Sequence, residues 1–229
     1  MKLKPSTYKL SLMAGACAAA LLAAPVARAE TLTFDLTSDH CTGAGGCLNG
    51  GSGGTVTVTE AGTGELNFSV SLASGVGIIG TGAGGGASFG FNLAGNPTIT
   101  SSSLTSGFNV TGGSNPTGAH TIHMDGAGDF EYGVLCTTAC GSGGSSPFFG
   151  TLSFTISNTL TLASLEQNLV GEFFGVDVIG PTGNTGIIDA SSGFPPIRVV
   201  GEPSSIAVLG GSLLAMGLFL RRRKESSAE

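Results

Sequence analysis

The chain has 229 residues, 40 of them glycine, and a formal net charge of −6. Residues 30–200 contain one basic residue, Arg198, against twelve acidic residues, which gives this segment a formal charge of −11. Such a negative surface repels phosphate backbones and so argues against nucleic-acid binding. The glycines follow no Gly-X-Y repeat, which excludes collagen. The lack of lysine in residues 30–200 excludes Walker-type loops and Schiff-base catalysis there.

The N-terminal residues have the layout of a secretory signal peptide. Three lysines precede an apolar run at residues 10–24. Ala27 and Ala29 then satisfy the small-x-small rule for cleavage, which makes Glu30 the first mature residue. We therefore expect the secretion machinery and signal peptidase to remove residues 1–29. An uncleaved anchor helix and a lipoprotein signal are the alternatives, but a run of 15 residues is short for a membrane span.

Apolar and polar residues alternate repeatedly across residues 30–200, which predicts short β-strands with one buried face. The segments with this pattern or with a continuous apolar run are 31–36, 55–59, 66–72, 89–93, 152–156 and 173–178. Runs of Gly and Ser separate them and predict turns or wide loops. About ten short strands of this kind are typical of an antiparallel β-sandwich or a jelly roll. Residues 162–169 are the only predicted helix, and a partly disordered, low-complexity matrix chain is the alternative.

Four cysteines lie in the predicted mature body: Cys41, Cys47, Cys136 and Cys140. Because an exported protein folds in an oxidising compartment, we expect disulfides. We favour local pairing, Cys41 with Cys47 and Cys136 with Cys140, and a pairing between the two segments is the alternative. A zinc site is a further alternative, although the spacings C-x5-C and C-x3-C fit no common structural zinc site.

An acidic, glycine-containing segment supplies the one candidate metal site. Asp125, Asp129 and Glu131 offer oxygen ligands of the kind that calcium prefers. The spacing is not that of an EF-hand, and a solvated turn before a strand is the alternative. His120 and His123 are three residues apart, which places them on opposite faces of a strand. We therefore expect no other metal and no organic cofactor.

The C-terminal residues predict a membrane anchor. Residues 206–220 form a second apolar run, which is followed directly by Arg221, Arg222, Arg223 and Lys224. A helix of this length spans roughly 22 Å, short of the ~30 Å hydrocarbon core, and local thinning can make up the difference. The cations oppose the alternative of a buried core helix. The pattern predicts a short transmembrane helix with a cytoplasmic C-terminus and an exported body, residues 30–200.

Residues 201–229 join three features: Glu202-Pro203 followed by two serines, a short apolar helix, and a cationic end. This combination resembles the PEP-CTERM sorting signal. The resemblance implies export by a Gram-negative bacterium and recognition by exosortase, a membrane-embedded cysteine transpeptidase. It also implies cleavage near Glu202 and Pro203 and delivery to the cell surface or an exopolysaccharide matrix. Gly201 stands where family members usually carry proline, a departure that bears on processing.

Part of the body is also similar to exported proteins of this family, which carry an Asp-His-Cys-Thr-Gly element like residues 39–43. The sequence thus predicts a non-enzymatic surface or matrix protein with an exported β domain. One alternative is a carbohydrate-binding module acting on exopolysaccharide, in which Tyr132, the only Tyr or Trp in residues 30–200, would stack on sugar. Another is a secreted hydrolase, but the G-x-S-x-G matches at 50–54 and 86–90 lack the helix that this motif requires.

Overall fold

A computed structural model of the chain describes residues 29–61, 64–112, 122–141 and 144–190 in full and the backbone of residues 197–200. Within these ranges the chain forms sixteen strands and two single-turn 3-10 helices, Gly82–Gly84 and Leu162–Ser164. The fold is all-β with antiparallel sheets, as the alternation predicts. The strands, in chain order, are β1 (Glu30–Leu36), β2 (Ser38–Asp39), β3 (Gly54–Glu60), β4 (Glu65–Leu72), β5 (Gly77–Ile78), β6 (Phe89–Leu93), β7 (Thr100–Ser102), β8 (Phe108–Gly112), β9 (Ile122–Met124), β10 (Gly128–Phe130), β11 (Tyr132–Cys136), β12 (Leu152–Ser157), β13 (Leu165–Glu166), β14 (Phe174–Ile179), β15 (Thr185–Asp189) and β16 (Ile197–Val200).

The first sheet has six antiparallel strands in the order β16-β1-β3-β4-β12-β7. Burial alternates along β1, β3 and β12, so one face of these strands is buried and the other is partly exposed. On the partly exposed face, threonines of β1 and β3 pair across the strands, with 3.0 Å between the hydroxyl oxygens of Thr31 and Thr59. This sheet therefore has one apolar face and one polar face, which is the pattern that made its strands readable from the sequence.

The second sheet has the central order β2-β15-β14-β6-β11-β8, with β13 paired to β6 and β5 paired to β14. Its two central strands, β6 and β14, are buried almost throughout, on both faces. One face packs against the first sheet, and phenylalanines fill the space between them. Phe68 of the first sheet lies 5.2 Å from Phe91 and 6.2 Å from Phe174 of the second, measured between ring centroids. The two sheets thus pack face to face as a sandwich.

The β9–β10 hairpin covers the other face of the second sheet. Met124 and Phe130 of this hairpin are fully buried. Beneath them, Gly90, Gly133 and Gly175 lie side by side in register on β6, β11 and β14. A methyl group at Gly90 would stand 2.8 Å from the Phe130 ring and 2.9 Å from the Met124 sulfur. The row of glycines therefore provides the space that the hairpin occupies.

Two predicted elements differ from the structure. The helix predicted over residues 162–169 is a single 3-10 turn, Leu162–Ser164, followed by the short strand β13. Leu165 pairs with Leu93 of β6, so pairing with a sheet replaces the helical hydrogen bonds. An eight-residue helix is marginal without such competition. The strand predicted over 173–178 is β14, which begins one residue later.

Candidate functional site

The buried polar side chains of the described residues are concentrated on the outer face of the second sheet. They are Ser88, Asn92, Asp177 and Asp189. Their neighbours in sequence, such as Phe89, belong to the core between the sheets, so period-two alternation directs these four to the opposite face. Buried polar groups are stable only when they are hydrogen-bonded or neutralised. This face is therefore where the structure concentrates its candidate chemistry.

His40 contacts Asp189 and Ser38 through one ring nitrogen. The Nε2 atom lies 2.6 Å from Asp189 Oδ2 and 3.2 Å from Ser38 Oγ. In a catalytic triad, the acid and the serine occupy opposite ring nitrogens, so that the histidine can pass a proton between them. Here both compete for the same nitrogen. Ser38, His40 and Asp189 have the composition of a catalytic triad but not its geometry. Their hydrogen bonds connect β2 and His40, the residue after it, to the end of β15.

Asp189 also contacts a second carboxyl group, that of Glu172. Asp189 is fully buried, and neither its Oδ1 nor Glu172 Oε2 receives a hydrogen bond from a donor of the described residues. Burial, then the charge of Asp189 and a hydrogen bond to it, raise the pKa of Glu172 to about 7. A protonated Glu172 carboxyl supplies the donor that these two oxygens otherwise lack. Glu172 therefore keeps its proton up to near neutral pH, and that proton lies in its contact with Asp189.

Asp177 lies under the loop that precedes β6. Its Oδ2 accepts hydrogen bonds from the Thr81 backbone N–H at 2.5 Å and from the Thr81 hydroxyl at 2.7 Å. Burial outweighs these bonds and raises the pKa of Asp177 to about 6. Ser88, the serine of the second G-x-S-x-G match, is fully buried in the same layer. Its hydroxyl is closed to solvent in this structure, so it does not present a nucleophile.

The cysteines pair locally, as the sequence favoured. Cys41 bonds to Cys47 and Cys136 to Cys140, with Cα–Cα distances of 5.4 and 5.8 Å. The carboxylate of Asp39 organises the first loop by accepting the backbone N–H groups of Cys41, Cys47 and Leu48. Burial acts to raise the pKa of Asp39, but these three bonds, with His40 nearby, outweigh it and leave the pKa below its ordinary value.

Removal of the first disulfide is expected to destabilise the sandwich. In Cys41→Ala/Cys47→Ala, the free energy of unfolding should fall by about 2 kcal/mol, because the unfolded chain regains the freedom of a short closed loop. Equilibrium unfolding in urea measures this change. The matched control is Cys136→Ala/Cys140→Ala, in which a loop of similar length opens and a similar loss is expected. An unchanged urea midpoint in the first double variant would show that the Asp39 contacts alone hold the loop.

A cleft of about 290 Å³ lies at one edge of the covering hairpin. Its walls include three carboxylates, two amides and one apolar side chain: Asp129, Glu131, Glu166, Asn92, Gln167 and Leu169. Asn168 also borders it and fixes the loop, since its amide donates to Ala127 O at 2.6 Å while its Oδ1 accepts the backbone N–H of Glu172. Burial and the charge of Glu166 raise the pKa of Glu131.

The three predicted calcium ligands lie along the cleft and around His123. Glu131 and Asp129 reach the cleft, whereas Asp125 lies 3.6 Å from His123 Nε2. His123 Nδ1 also contacts Asp129 at 2.7 Å, and this bond raises the pKa of His123. Among the described residues, the group whose three ligand atoms lie within 4.8 Å of one another is Asp39, Cys41 and Cys47. Those two cysteines form a disulfide, so that group is not a thiolate metal site.

Comparison of the chain with protein families, with curated proteins and with solved structures finds no match. In the part of the chain that the structure describes, no helix is both long and apolar enough to cross a bilayer. Several predicted sites lie outside the described residues: Ala27 of the signal cleavage site, whose Ala29 is the first described residue, the sorting site at Glu202 and Pro203, and the basic cluster at Arg221, Arg222, Arg223 and Lys224.

Sequence reasoning missed Asp189, Glu172, Glu166 and Asn92 as members of these clusters. One signal was present for Asp189 and for Asp177, since each stands in an otherwise apolar strand that is buried on both faces. An acid in such a strand requires a polar partner. The partners come from remote segments: His40 is 149 residues from Asp189, and Thr81 is 96 residues from Asp177.

Proposed function

We propose that this chain is an exported, non-enzymatic surface or matrix protein whose C-terminal signal is processed by exosortase. The observation that carries the proposal is the sequence of residues 201–229, in which Glu202-Pro203, an apolar run and four basic residues follow one another. The predicted signal peptide at residues 1–29 complements it. Together they define a protein that crosses the inner membrane, is held there by its tail, and is then cleaved and delivered to the cell surface.

The described body supports this proposal in two ways. Two disulfides, Cys41–Cys47 and Cys136–Cys140, close short segments of the body, which suits a protein that folds in an oxidising compartment. The polar cluster with triad composition, His40, Asp189 and Ser38, has its contacts on one ring nitrogen, and the alternative nucleophile Ser88 is buried. Both arrangements favour a structural role for these residues over a hydrolytic one.

The glycan-binding alternative does not rest on Tyr132, as the sequence alone had it. Tyr132 is fully buried, its ring lies 5.2 Å from that of Phe91, and its hydroxyl donates to Pro97 O. A residue in this position fills the core and cannot stack on a sugar. Truncation in Tyr132→Ala would therefore destabilise the core, and a loss of binding in that variant would report nothing about ligands.

Intact-mass measurement of the protein from its own host tests the proposal. The expected mature chain begins at Glu30 and ends near Glu202, with all four cysteines protected from alkylation until a reductant is added. A matched pair of variants sharpens the test. Replacing Arg221, Arg222, Arg223 and Lys224 with glutamine should leave the tail uncleaved, whereas the conservative replacement with four lysines should preserve the positive charge and the processing. A mature mass that ends at Glu229 in the unaltered protein would contradict the proposal.

A further inference from the structure

The turn of the covering hairpin is attached to the rest of the protein at three consecutive residues: Asp125, Gly126 and Ala127. The backbone N–H of the first donates to Ala83 O at 2.8 Å. A methyl group on the second would stand 2.5 Å from the His40 ring, so this ring lies directly against the turn. The carbonyl oxygen of the third accepts the side-chain amide of Asn168 at 2.6 Å. These three contacts hold the turn over the second sheet.

A fully buried acid, Asp177, lies behind the first attachment. Thr81 is the N-cap of the 3-10 turn Gly82–Gly84, and its backbone N–H and its hydroxyl both donate to Asp177 Oδ2. Ala83, whose carbonyl oxygen holds the hairpin, is the middle residue of that 3-10 turn. Burial and, to a smaller extent, the charge of Asp125 on the hairpin raise the pKa of Asp177. An ionised Asp177 therefore repels the segment that its own neighbours hold in place.

Two further acids in contact with each other, Asp189 and Glu172, lie behind the other two attachments. Asp189 Oδ2 is bonded to His40 Nε2 at 2.6 Å, so it supports the ring on which the turn packs. Glu172 donates its backbone N–H to Asn168 Oδ1, and the amide nitrogen of Asn168 makes the third attachment. Loss of the proton from Glu172 would therefore place two negative charges behind these two contacts.

The body supplies these acids with no lysine or arginine, since residues 29–190 contain neither. Asp177 Oδ1 and Asp189 Oδ1 are buried and receive no hydrogen bond from a fixed donor of the described residues. A protonated Glu172 serves Asp189, and that donor is lost when Glu172 ionises. A buried charge without a partner is unfavourable, and hydration relieves it. Water reaches this face of the second sheet only if the segment that covers it moves.

The other charged groups around these acids do not compensate the new charges. They are Asp125, Asp129 and His123 of the hairpin, Asp189 of β15, and Asp39 and His40 at the end of β2. Every carboxylate in this set repels a further negative charge. His123 bonds within the hairpin, to Asp129, and His40 is already bonded to Asp189. Ionisation of Glu172 and Asp177 thus adds two charges behind the hairpin and no cation to balance them.

We propose that residues 125–127 are a pH-dependent latch: the hairpin is closed over the second sheet in acid and is released from it as Glu172 and Asp177 ionise. The protonated carboxyls stabilise the closed form, and this effect is lost as the pH rises through pKa values of about 6 and about 7. Release withdraws Met124 and Phe130 from the glycine row and lets water reach the acids. The inference goes beyond export and does not depend on it.

Oxidation of Met124 by dilute hydrogen peroxide tests the proposal. Met124 is the only methionine in residues 30–200, and it is fully buried in the closed hairpin. Its thioether does not titrate, and it becomes a sulfoxide only when peroxide reaches it. The purified full chain, with its disulfides intact, is treated at several values between about pH 5 and pH 8, and peptide masses give the sulfoxide at this residue. The rate should rise at least roughly tenfold across this range, the effect of one pKa unit.

Hydrogen exchange on the same samples separates local release from unfolding of the sandwich. After correction for the intrinsic exchange rate, amides of β9 and β10 should be at least roughly tenfold less protected than those of β3 and β4 at every pH, because release of one hairpin takes less free energy than unfolding. Equal protection in the two pairs of strands would show that the sandwich opens as one unit, and the latch would be refuted.

A double variant attributes the release to the two acids. In Glu172→Gln/Asp177→Asn neither position can ionise, so the oxidation rate of Met124 should stay within about twofold of its value at the acid end of the range. The matched control is Asp35→Asn/Glu65→Gln, which removes two acids from the first sheet and should keep the wild-type rise. A rise of the same size in both double variants would contradict the proposal.

Asn168→Asp tests the third attachment directly. The aspartate keeps an acceptor for the Glu172 N–H, but it has no donor for Ala127 O when ionised. Met124 should therefore be oxidised at least roughly threefold faster than in wild type even near pH 5, the effect of one lost hydrogen bond. A rate equal to that of wild type would mean that this amide does not hold the hairpin.

The wild-type measurement decides the proposal even if a variant fails to fold. An oxidation rate at Met124 that is the same from about pH 5 to pH 8 would overturn it. The outcome is independent of the proposed sorting, because the chain is studied in solution with its tail present. A mature mass that contradicts tail cleavage would leave the latch in place, and a pH-independent Met124 would leave the sorting in place.

Discussion

The sandwich is expected to become more stable as the pH is lowered from about 7 to about 4.5. Burial raises the pKa of Glu172 from 4.5 to about 7 and that of Asp177 from 3.8 to about 6. The folded state therefore holds two protons that the unfolded state releases in this range. Their stabilising effect is complete below the unfolded pKa values and is lost as the pH rises through the folded ones.

The other shifted groups support the same direction or act outside this range. Glu131 and His123 also have raised pKa values, so their contributions are likewise lost as the pH rises. The pKa of Asp39 is lowered from its ordinary value of 3.8, so its stabilising contribution is lost only when the pH falls below that value. We therefore expect maximum stability near pH 4 to 5. The loss from there to pH 7 should be on the order of 2 kcal/mol, after allowance for solvent near the half-buried Glu172.

One variant tests how much Glu172 contributes to the pH dependence of the unfolding free energy. Glu172→Gln keeps a donor for Asp189 at every pH, so the unfolding free energy should lose the Glu172 part of its slope between pH 4.5 and 7 and keep the part due to Asp177. Above neutrality the variant should be the more stable protein. Glu65→Gln, on the first sheet, removes one charge without touching the pair and should retain the wild-type slope. If the unfolding free energy of Glu172→Gln follows the wild-type pH profile throughout, the proton that is taken up on folding is not on Glu172.

The strands of the first sheet were predictable because one rule governs them. Leu32, Phe34 and Leu36 alternate with polar residues, since only one face of that sheet meets the core. The faces of the central strands of the second sheet, β6 and β14, were harder to predict, because a covering hairpin buries their outer face as well. In β14 the apolar run is continuous, and its period carries no information about which face meets which neighbour.

Glycines have two different roles in this fold. Runs such as residues 84–86 predict turns, and the structure places a 3-10 turn there. The isolated glycines at 90, 133 and 175 look similar in the sequence, yet they lie within strands. Their role depends on a register between three strands that are far apart in the chain, and on a fourth segment that packs over them. A local sequence pattern predicts neither the register of these strands nor the hairpin that packs over them.

The candidate clusters show the same limit. Asp129 and Glu131 were identified as oxygen donors from one short segment, but Glu166 and Asn92 join them only through the pairing of β13 and β6. The carboxyl pair of Glu172 and Asp189 arises because β15 and the residues before β14 meet under the hairpin. Residue type and local spacing therefore identified two acids of the cleft and neither member of the carboxyl pair. The other half depends on contacts between distant segments.

Gly90→Ala is expected to lift the hairpin from the sheet and to lower the free energy of unfolding by about 1–3 kcal/mol. The added methyl group would stand 2.8 Å from Phe130 and 2.9 Å from Met124, both fully buried. Packed side chains at this distance must move. Hydrogen exchange should show the largest loss of protection in β9 and β10.

Gly82→Ala is the matched control, since a methyl group there would have no atom within 4 Å and the backbone requires no left-handed conformation. It should be neutral or slightly stabilising, because alanine restricts the unfolded chain. Phe130→Ala in combination with Gly90→Ala should cost less than the sum of the two single changes, since removing the ring removes the clash. Equal stability of Gly90→Ala and Gly82→Ala would mean that the hairpin does not rest on the glycine row.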